Sequence, residues 1–160
     1  MLPTAMMPFV APPPSRMAAV YLGTTGLRVS RFCLGTMNFC EGGVAAAGAA
    51  SSVPAHKTGE EEAHAILDAF CARGGNFIDT ADIYNGGATE RVIGRWLAAR
   101  PAMRAKIVLL SKARGVVDEE DPGPNDEGLS RAHLPRALDA SLARLCTSYL
   151  DICTIRHNRA

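Results

Sequence analysis

The apolar residues of this chain follow two spacings that alternate along its length. Short continuous apolar runs predict four strands, at 31–36, 76–80, 106–111 and 149–155. Between the strands, apolar residues recur every three or four positions and predict three helices: one from Thr58 to Gly74, one over Glu90–Arg100 and one from Ser130 to about Cys146. Before the first strand, residues 21–23 and 27–29 flank a Thr-Thr-Gly turn and predict a short β-hairpin.

The order strand, helix, strand, helix, strand, helix, strand predicts an α/β protein with parallel strands and right-handed crossovers. Two architectures fit this order: an open doubly wound sheet and part of a (β/α)8 TIM barrel. A doubly wound nucleotide-binding fold usually has the spacing G-x-G-x-x-G after its first strand, whereas this chain has GTMNFCEGG there. The pattern therefore favours a partial barrel preceded by the hairpin.

Local capping signals mark where each helix is expected to begin. Thr58 and Glu61 form a predicted capping box, in which each side chain satisfies a backbone N–H group of the first turn. Thr89 is the predicted cap of the second helix, and Glu90 follows it as a first-turn acid favoured by the helix dipole. Ser130 is the predicted cap of the third helix. Pro135 lacks a backbone N–H group, so the first turn of that helix is expected to be irregular.

Two segments lack the periodicity of helices and strands. Residues 1–16 are interrupted by prolines and lack the charged start and unbroken apolar stretch of a secretory signal, so we expect a disordered leader, with a transit peptide as the alternative. Residues 41–57 are rich in glycine, alanine and serine, and predict a flexible loop. The folded domain is expected over 17–160.

Composition narrows the class of protein. Of 160 residues, 48% are hydrophobic and 21% charged, and the net charge of +1 is spread along the chain. This composition predicts a globular protein without the basic face that nucleic acid or an anionic membrane surface requires, and no apolar run is long enough to span a bilayer. Five cysteines without a C-x-x-C pair and four dispersed histidines predict no metal site and reduced thiols in the cytoplasm.

Three polar residues at predicted strand ends have the chemistry of an acid catalyst. Asp79 lies at the end of the second strand, Tyr84 follows that strand and Lys112 follows the third, and in a barrel the active site lies at these carboxyl ends. Free tyrosine has a pKa of about 10, and a neighbouring lysine ammonium makes a phenol a better acid by stabilising phenolate. Considered singly, each residue has a structural alternative: a turn aspartate, a half-buried loop aromatic and a solvated strand-end lysine.

Four longer runs resemble a known enzyme family. They are LGTTGLRVSRFCLGTMNF, GGNFIDTADIYNGGATERVIGRWL, KIVLLSKARG and LSRAHLPRALDASLARLCTSYLD. In collinear order over residues 20–157, they resemble the aldo-keto reductases, most closely the aryl-alcohol-dehydrogenase-like and potassium-channel-β-like branches. The resemblance implies that the domain is the N-terminal half of a TIM barrel, about its first four β/α units.

The resemblance also implies a reaction and a role for each site residue. Tyr84 matches the tyrosine that protonates the carbonyl oxygen, Lys112 the lysine that tunes it, and Asp79 the aspartate that pairs with this lysine. The implied reaction is hydride transfer from NADPH to a small aldehyde or ketone. The residues that match the turn near the nicotinamide are Gly35, Thr36 and Met37.

The chain departs from the family in two respects. The family has a histidine five positions after the aspartate corresponding to Asp151, where this chain has Arg156 and then His157. The barrel half that supplies most of the family's NADPH contacts is absent. Two functions therefore stay open: a reductase represented by a truncated or fragment chain, and a non-catalytic half-barrel that binds a partner. Sequence encoded beyond Ala160 would distinguish them. The exposed half-barrel face predicts self-association.

Overall fold

A computed structural model describes residues 16–42, 57–118, 120 and 122–155 of the chain. In chain order its helices and strands are β1 (Ala19–Tyr21), β2 (Arg28–Ser30), β3 (Cys33–Gly35), α1 (Glu60–Ala72), β4 (Phe77–Asp79), α2 (Ala88–Ala98), α3 (Pro101–Arg104), β5 (Val108–Ala113), α4 (Leu134–Arg144) and β6 (Ile152–Ile155). The predicted hairpin is present, because β1 and β2 pair antiparallel with Tyr21 opposite Arg28. The predicted strands are all found: β3, β4 and β6 are shorter than their apolar runs, and β5 has the predicted length but lies two residues further along the chain.

The four remaining strands form one parallel sheet in the order β3-β4-β5-β6. Each strand lies beside the next one in the chain, so the order never reverses as it does in a doubly wound sheet. The register places Gly35 beside Asp79 and Asp79 beside Leu110. Lys112 lies beside Thr154. The carboxyl ends of β4 and β5 therefore meet at one edge, as a barrel requires.

The helices cover one face of this sheet and enclose the apolar core. Leu67 of α1 and Trp96 of α2 are 0% exposed, as are Ile78 of β4 and Leu109 of β5 below them. Helix α1 packs against α2, and α4 packs against both α2 and β5. The ring of Trp96 thus lies in the core, and its N–H donates to Asp68 Oδ1 at 2.9 Å. This core fixes the strands whose ends carry the polar residues.

The first two helices begin without the predicted side-chain caps. The N-cap of α1 is Gly59, and that of α2 is Gly87. Thr58 instead forms a parallel bridge with Phe39 through its backbone. The hydroxyl of Thr89 donates to the backbone oxygen of Phe39 at 2.8 Å. The capping predictions at Thr58 and Thr89 are therefore wrong, because the loop after β3 engages both residues.

Two prolines lie at helix starts. Helix α2 ends at Ala98, earlier than predicted, and Pro101 opens the short helix α3, which the sequence analysis did not predict. At α4, a turn precedes the helix, and the backbone N–H of His133 donates to Ser130 Oγ at 3.0 Å. Helix α4 begins at Leu134, with Pro135 in its first turn, where no intrahelical donor is needed. Ser130 thus caps the preceding turn rather than the helix.

Three predictions fall outside the described residues. They concern the disordered leader, of which only Arg16 is described, the centre of the flexible loop at 41–57, and the choice between Arg156 and His157. In the part of the chain that the structure describes, no helix combines the length and apolarity needed to cross a bilayer.

Candidate active site

Three acceptors surround the ammonium group of Lys112. Lys112 lies in β5, and Asp79 ends the neighbouring strand β4. Lys112 Nζ donates to Asp79 Oδ1 at 2.6 Å, to the Thr80 backbone oxygen at 2.8 Å and to the Tyr84 hydroxyl at 3.1 Å. A lysine ammonium has three N–H donors, so each has an acceptor here. The structure thus brings together the Asp79, Tyr84 and Lys112 side chains that the sequence analysis selected.

The direction of these hydrogen bonds leaves the proton of the Tyr84 phenol available. The Tyr84 hydroxyl accepts from Lys112, so its own proton is not used in that bond. Among the described residues, no acceptor for this proton lies within hydrogen-bonding distance. A ligand oxygen beside Tyr84 could therefore accept it. The carboxylate of Asp79 compensates the charge of Lys112, and both side chains are about a quarter exposed.

The loop after β4 positions Tyr84 through contacts with the loop after β3. Asn85 has a φ of 52°, a left-handed conformation that asparagine tolerates better than most residues. Its side-chain amide donates to the backbone oxygens of Met37 at 3.1 Å and Phe39 at 2.9 Å. Gly86 and Gly87 continue the turn with φ values of 59° and 79°. The loop that carries Tyr84 is therefore tied to the end of β3.

The three residues predicted to lie near a nicotinamide are arranged unequally. Thr36 is fully buried, and both its N–H, at 3.1 Å, and its hydroxyl, at 2.9 Å, donate to the Asp79 backbone oxygen. Gly35 is exposed, and no atom lies within 4 Å of the position that a Cβ would take there. Met37 is 44% exposed. Gly35 and Met37 are thus accessible to a ligand, whereas Thr36 braces the end of β4.

Cys33 lies on the same side of the site, on the edge strand β3. Burial, and after it the Asp79 carboxylate, raise the pKa of its thiol to about 11, with Lys112 opposing the rise in part. The thiol therefore stays protonated at neutral pH, and a thiolate is the form that reacts as a nucleophile. Cys33 contributes a neutral side chain to the site.

Asp82 is a buried carboxylic acid under the loop of Tyr84. It is 1% exposed, its Oδ1 accepts from the Ile83 N–H at 2.7 Å, and its own N–H donates to the Lys112 backbone oxygen at 3.1 Å. Burial raises the pKa of Asp82, backbone hydrogen bonding by Ile83 opposes this, and nearby Glu90 adds to the rise. The sequence analysis did not select Asp82, although the FIDTAD run contains it.

Glu90 forms a buried ion pair that local sequence signals did not reveal. It lies in the first turn of α2, as predicted, but it is 0% exposed. Its contacts therefore extend beyond the interaction with the helix dipole. Its carboxylate accepts from Ser111 Oγ at 2.6 Å and from Arg144 Nε at 2.8 Å. Ser111 directly precedes Lys112 in β5. The contacts of Glu90 therefore connect α2 with α4 and with the strand that carries Lys112.

A cavity of about 470 Å³ opens beside Tyr84 and Lys112. Besides these two side chains, the residues that line the cavity are Ala81, Asp82, Ile83, Ala113, Arg114, Gly115 and Thr154. Binding cavities for small ligands commonly have volumes of about 300–1,000 Å³. The arrangement provides a proton donor in a cavity of suitable size.

With this fold and site described, comparison with known proteins defines the class. The sequence model of the aldo/keto reductase family matches residues 31–158. The chain therefore belongs to the aldo/keto reductase family.

Individual relatives agree with this assignment. The chain is 41% identical over 146 residues to the uncharacterized oxidoreductase YrpG of Bacillus subtilis, covering 88% of this chain and 40% of YrpG. It is 38% identical over 130 residues to the norsolorinic acid reductase stcV of Emericella nidulans, covering 79% and 31% of the two chains. Protein tas of Escherichia coli is 36% identical over 136 residues, with coverages of 80% and 35%.

A solved structure shows the same fold. The holo form of the aldo-keto reductase AKR11C1 from Bacillus halodurans superimposes with a TM-score of 0.67 at 30% identity, over 88% of this chain and 40% of that one. The predicted partial (β/α)8 barrel is thereby confirmed. The chain spans about 40% of the length of YrpG and of this structure.

Proposed function

We propose that this chain carries the proton-donating site of an NADPH-dependent reductase that converts small aldehydes or ketones to alcohols. The observation that supports this most directly is the hydrogen bonding around Lys112. Its ammonium donates to Asp79, Thr80 and Tyr84, which leaves the Tyr84 proton free for a carbonyl oxygen in the adjacent cavity. In this proposal the catalytic residues are Asp79, Tyr84 and Lys112.

In the proposed reaction, Tyr84 transfers its proton to the carbonyl oxygen of the substrate. The carbonyl oxygen of the substrate accepts a hydrogen bond from the Tyr84 hydroxyl, which polarises the C=O bond. As negative charge develops on that oxygen, the phenol O–H bond breaks and the proton passes to the oxygen. The resulting phenolate is stabilised by Lys112 at 3.1 Å, and Asp79 keeps the ammonium charged and oriented. The product is the alcohol.

The residues present fit a nicotinamide cofactor at the end of β3. The space above Gly35 is open, Gly35 lies beside Asp79 in the sheet, and Met37 is exposed next to it. A flat ring could therefore rest on Gly35 and Met37, while Thr36 holds the backbone of Asp79 in place. NADPH, when bound, supplies the hydride that adds to the carbonyl carbon. The proposed setting is the cytoplasm, which suits five cysteines that form no disulfide in the described part of the chain.

The test measures NADPH oxidation by the full natural polypeptide with a panel of aromatic and aliphatic aldehydes. Tyr84→Phe should lower kcat by about 10²- to 10⁴-fold, the usual contribution of a positioned acid, and leave the unfolding transition unchanged. The matched control is Tyr21→Phe, because Tyr21 is 67% exposed on the hairpin and should have no effect. Equal loss in both variants, or no loss in Tyr84→Phe, would contradict the proposal.

The competing function is a non-catalytic half-barrel that binds a partner. A folded polypeptide that neither binds NADPH nor oxidises it with any aldehyde would favour that alternative. Comparing kcat/KM for NADPH and NADH in the same assay decides which cofactor is used.

A further inference from the structure

The cavity beside Tyr84 contains two cationic residues that differ in their pairing. Lys112 is compensated by Asp79 at 2.6 Å. Arg114 also lines the cavity, and its guanidinium has no hydrogen bond or ion pair within the described ranges. Six other arginines of the described fold are paired with a carboxylate within 4.0 Å: Arg91, Arg95, Arg100, Arg104, Arg136 and Arg144. Unlike the remaining unpaired arginines, Arg114 lines the cavity. Arg114 therefore brings to the cavity a charge that no carboxylate of the described residues compensates.

The backbone relates Arg114 to the proposed reaction centre. Arg114 follows Lys112 by two positions, at the point where β5 ends at Ala113. Side chains two positions apart on extended backbone project to the same face, so the alternation of β5 directs Arg114 toward the side that carries Lys112. The backbone oxygen of Arg114 accepts from the Gly128 N–H at 2.8 Å, which anchors this position to the following loop.

In the part of the chain that the structure describes, no carboxylate near the cavity pairs with Arg114. Asp79 is engaged by Lys112, and Asp82 is 1% exposed with its Oδ2 beneath the surface. The accessible part of the cavity thus has a positive balance of charge, with apolar residues such as Ile83 and Ala113 between the charges. A carboxylate is the ligand group that a guanidinium binds best, through paired and charge-assisted hydrogen bonds.

We propose that Arg114 is a specificity-determining residue that selects carbonyl substrates bearing a carboxylate. This rests on the proposed reductase function and names the substrate class for the same site. The carbonyl oxygen contacts Tyr84, and the carboxylate at the far end of the substrate pairs with Arg114. Small aromatic aldehydes with a carboxylate opposite the aldehyde belong to this class.

The test compares 4-carboxybenzaldehyde with its neutral methyl ester, methyl 4-formylbenzoate, as substrates of the full natural polypeptide. Arg114→Gln should lower kcat/KM for the carboxylate about 10- to 100-fold, mainly through KM, and change the ester less than twofold. Arg114→Lys should restore part of the difference because it keeps the charge. The matched control is Arg131→Gln, an exposed arginine outside the cavity, which should leave both substrates unchanged.

Two outcomes would overturn the assignment. The first is an equal effect of Arg114→Gln on the acid and the ester, which would make Arg114 structural. The second is a rise in KM for NADPH with an unchanged acid-to-ester ratio, which would mean that Arg114 contacts a cofactor phosphate.

A binding measurement separates this proposal from the reductase proposal. Calorimetric titration with 4-(hydroxymethyl)benzoate needs no turnover, and its Kd should be at least tenfold weaker in Arg114→Gln than in the wild type. Reduction of the ester with no carboxylate preference would retain the reductase function and refute the role of Arg114. Carboxylate binding that depends on Arg114, without reduction of any aldehyde, would retain the anion site and refute the reductase function.

Discussion

The two faces of the four-stranded sheet carry residues with different tasks. On the face covered by helices, Ile78 and Leu109 are 0% exposed and pack in the core. On the opposite face, Asp79 and Lys112 meet at the strand ends with about a quarter of each side chain exposed. Because side chains alternate along a strand, Ile78 and Asp79 are consecutive in sequence and yet lie on different faces.

This difference shows how a short strand can serve both stability and chemistry. The covered face contributes burial of apolar area, whereas the open face presents polar groups that the covered face holds in position. The same contrast between the two faces is present within β5. Leu109 faces the helices, whereas Leu110 lies on the open face and is partly exposed. Identical substitutions at the two leucines should therefore have unequal effects.

The largest expected effect is on stability, at Leu109. Leu109→Ala removes a fully buried side chain from the core and should lower the free energy of unfolding by about 2–5 kcal/mol. Leu110→Ala should lower it by about 1 kcal/mol, because part of that side chain is already in contact with solvent. Urea unfolding followed by circular dichroism measures both. Equal losses at the two positions would show that the faces are not energetically distinct.

The next effect concerns association through the open face. We propose that the 160-residue chain self-associates, because Phe77, Leu110 and Ile152 share a face that no helix of the described residues covers. Sedimentation should show a mass that rises with concentration, and Leu110→Gln should lower that mass. Leu129→Gln is the control, since Leu129 is 43% exposed and lies in a loop outside the sheet. A monodisperse monomer that melts cooperatively would contradict the prediction.

The smallest effect is a pH dependence from Asp82. Burial raises its pKa above the ordinary value of 3.8, so the folded state keeps this proton after the unfolded chain has lost it. The contribution of Asp82 to stability is complete below that ordinary value and is lost as pH rises through the raised pKa. Asp82→Asn does not titrate, so its free energy of unfolding should increase relative to the wild type as pH rises from about 4 to 7.

Glu60 is the control for this pH dependence, because its pKa is shifted in the opposite direction. The hydrogen bond from Arg95 lowers the pKa of this largely exposed carboxylate. Its contribution is therefore present above the ordinary pKa and lost as pH falls. Glu60→Gln should lose stability relative to the wild type as pH rises. A constant difference between Asp82→Asn and the wild type across the pH range would contradict the inferred shift.

The sequence predicted the strands and the site better than the helix starts. The apolar runs located the strands because burial between helices leaves a continuous apolar signal. The strand-end residues Asp79 and Lys112 came together because parallel register aligns the carboxyl ends of neighbouring strands. Their catalytic role and that of Tyr84 stay predictions.

The errors at the helix starts arose where a side chain binds a partner that is distant in sequence. Thr89 looked like a helix cap, but its hydroxyl binds the backbone of Phe39, 50 positions away in sequence. Glu90 looked like a first-turn acid, but its partner Arg144 is 54 positions away. Helix α3 has no signal in the apolar spacing, although its first residue, Pro101, is a type that suits the first turn of a helix. No local pattern contains these partners.

The buried pair of Glu90 and Arg144 constrains how this sequence can change over generations. Loss of either residue leaves the other charge without its ion-pair partner in a largely buried position, at a cost of about 3–5 kcal/mol, a large share of the 5–15 kcal/mol of a typical domain. Replacing both with apolar residues of similar volume is often neutral. Each route to that double replacement passes through a destabilised single variant, so the pair is difficult to lose by single substitutions even if it adds little net stability.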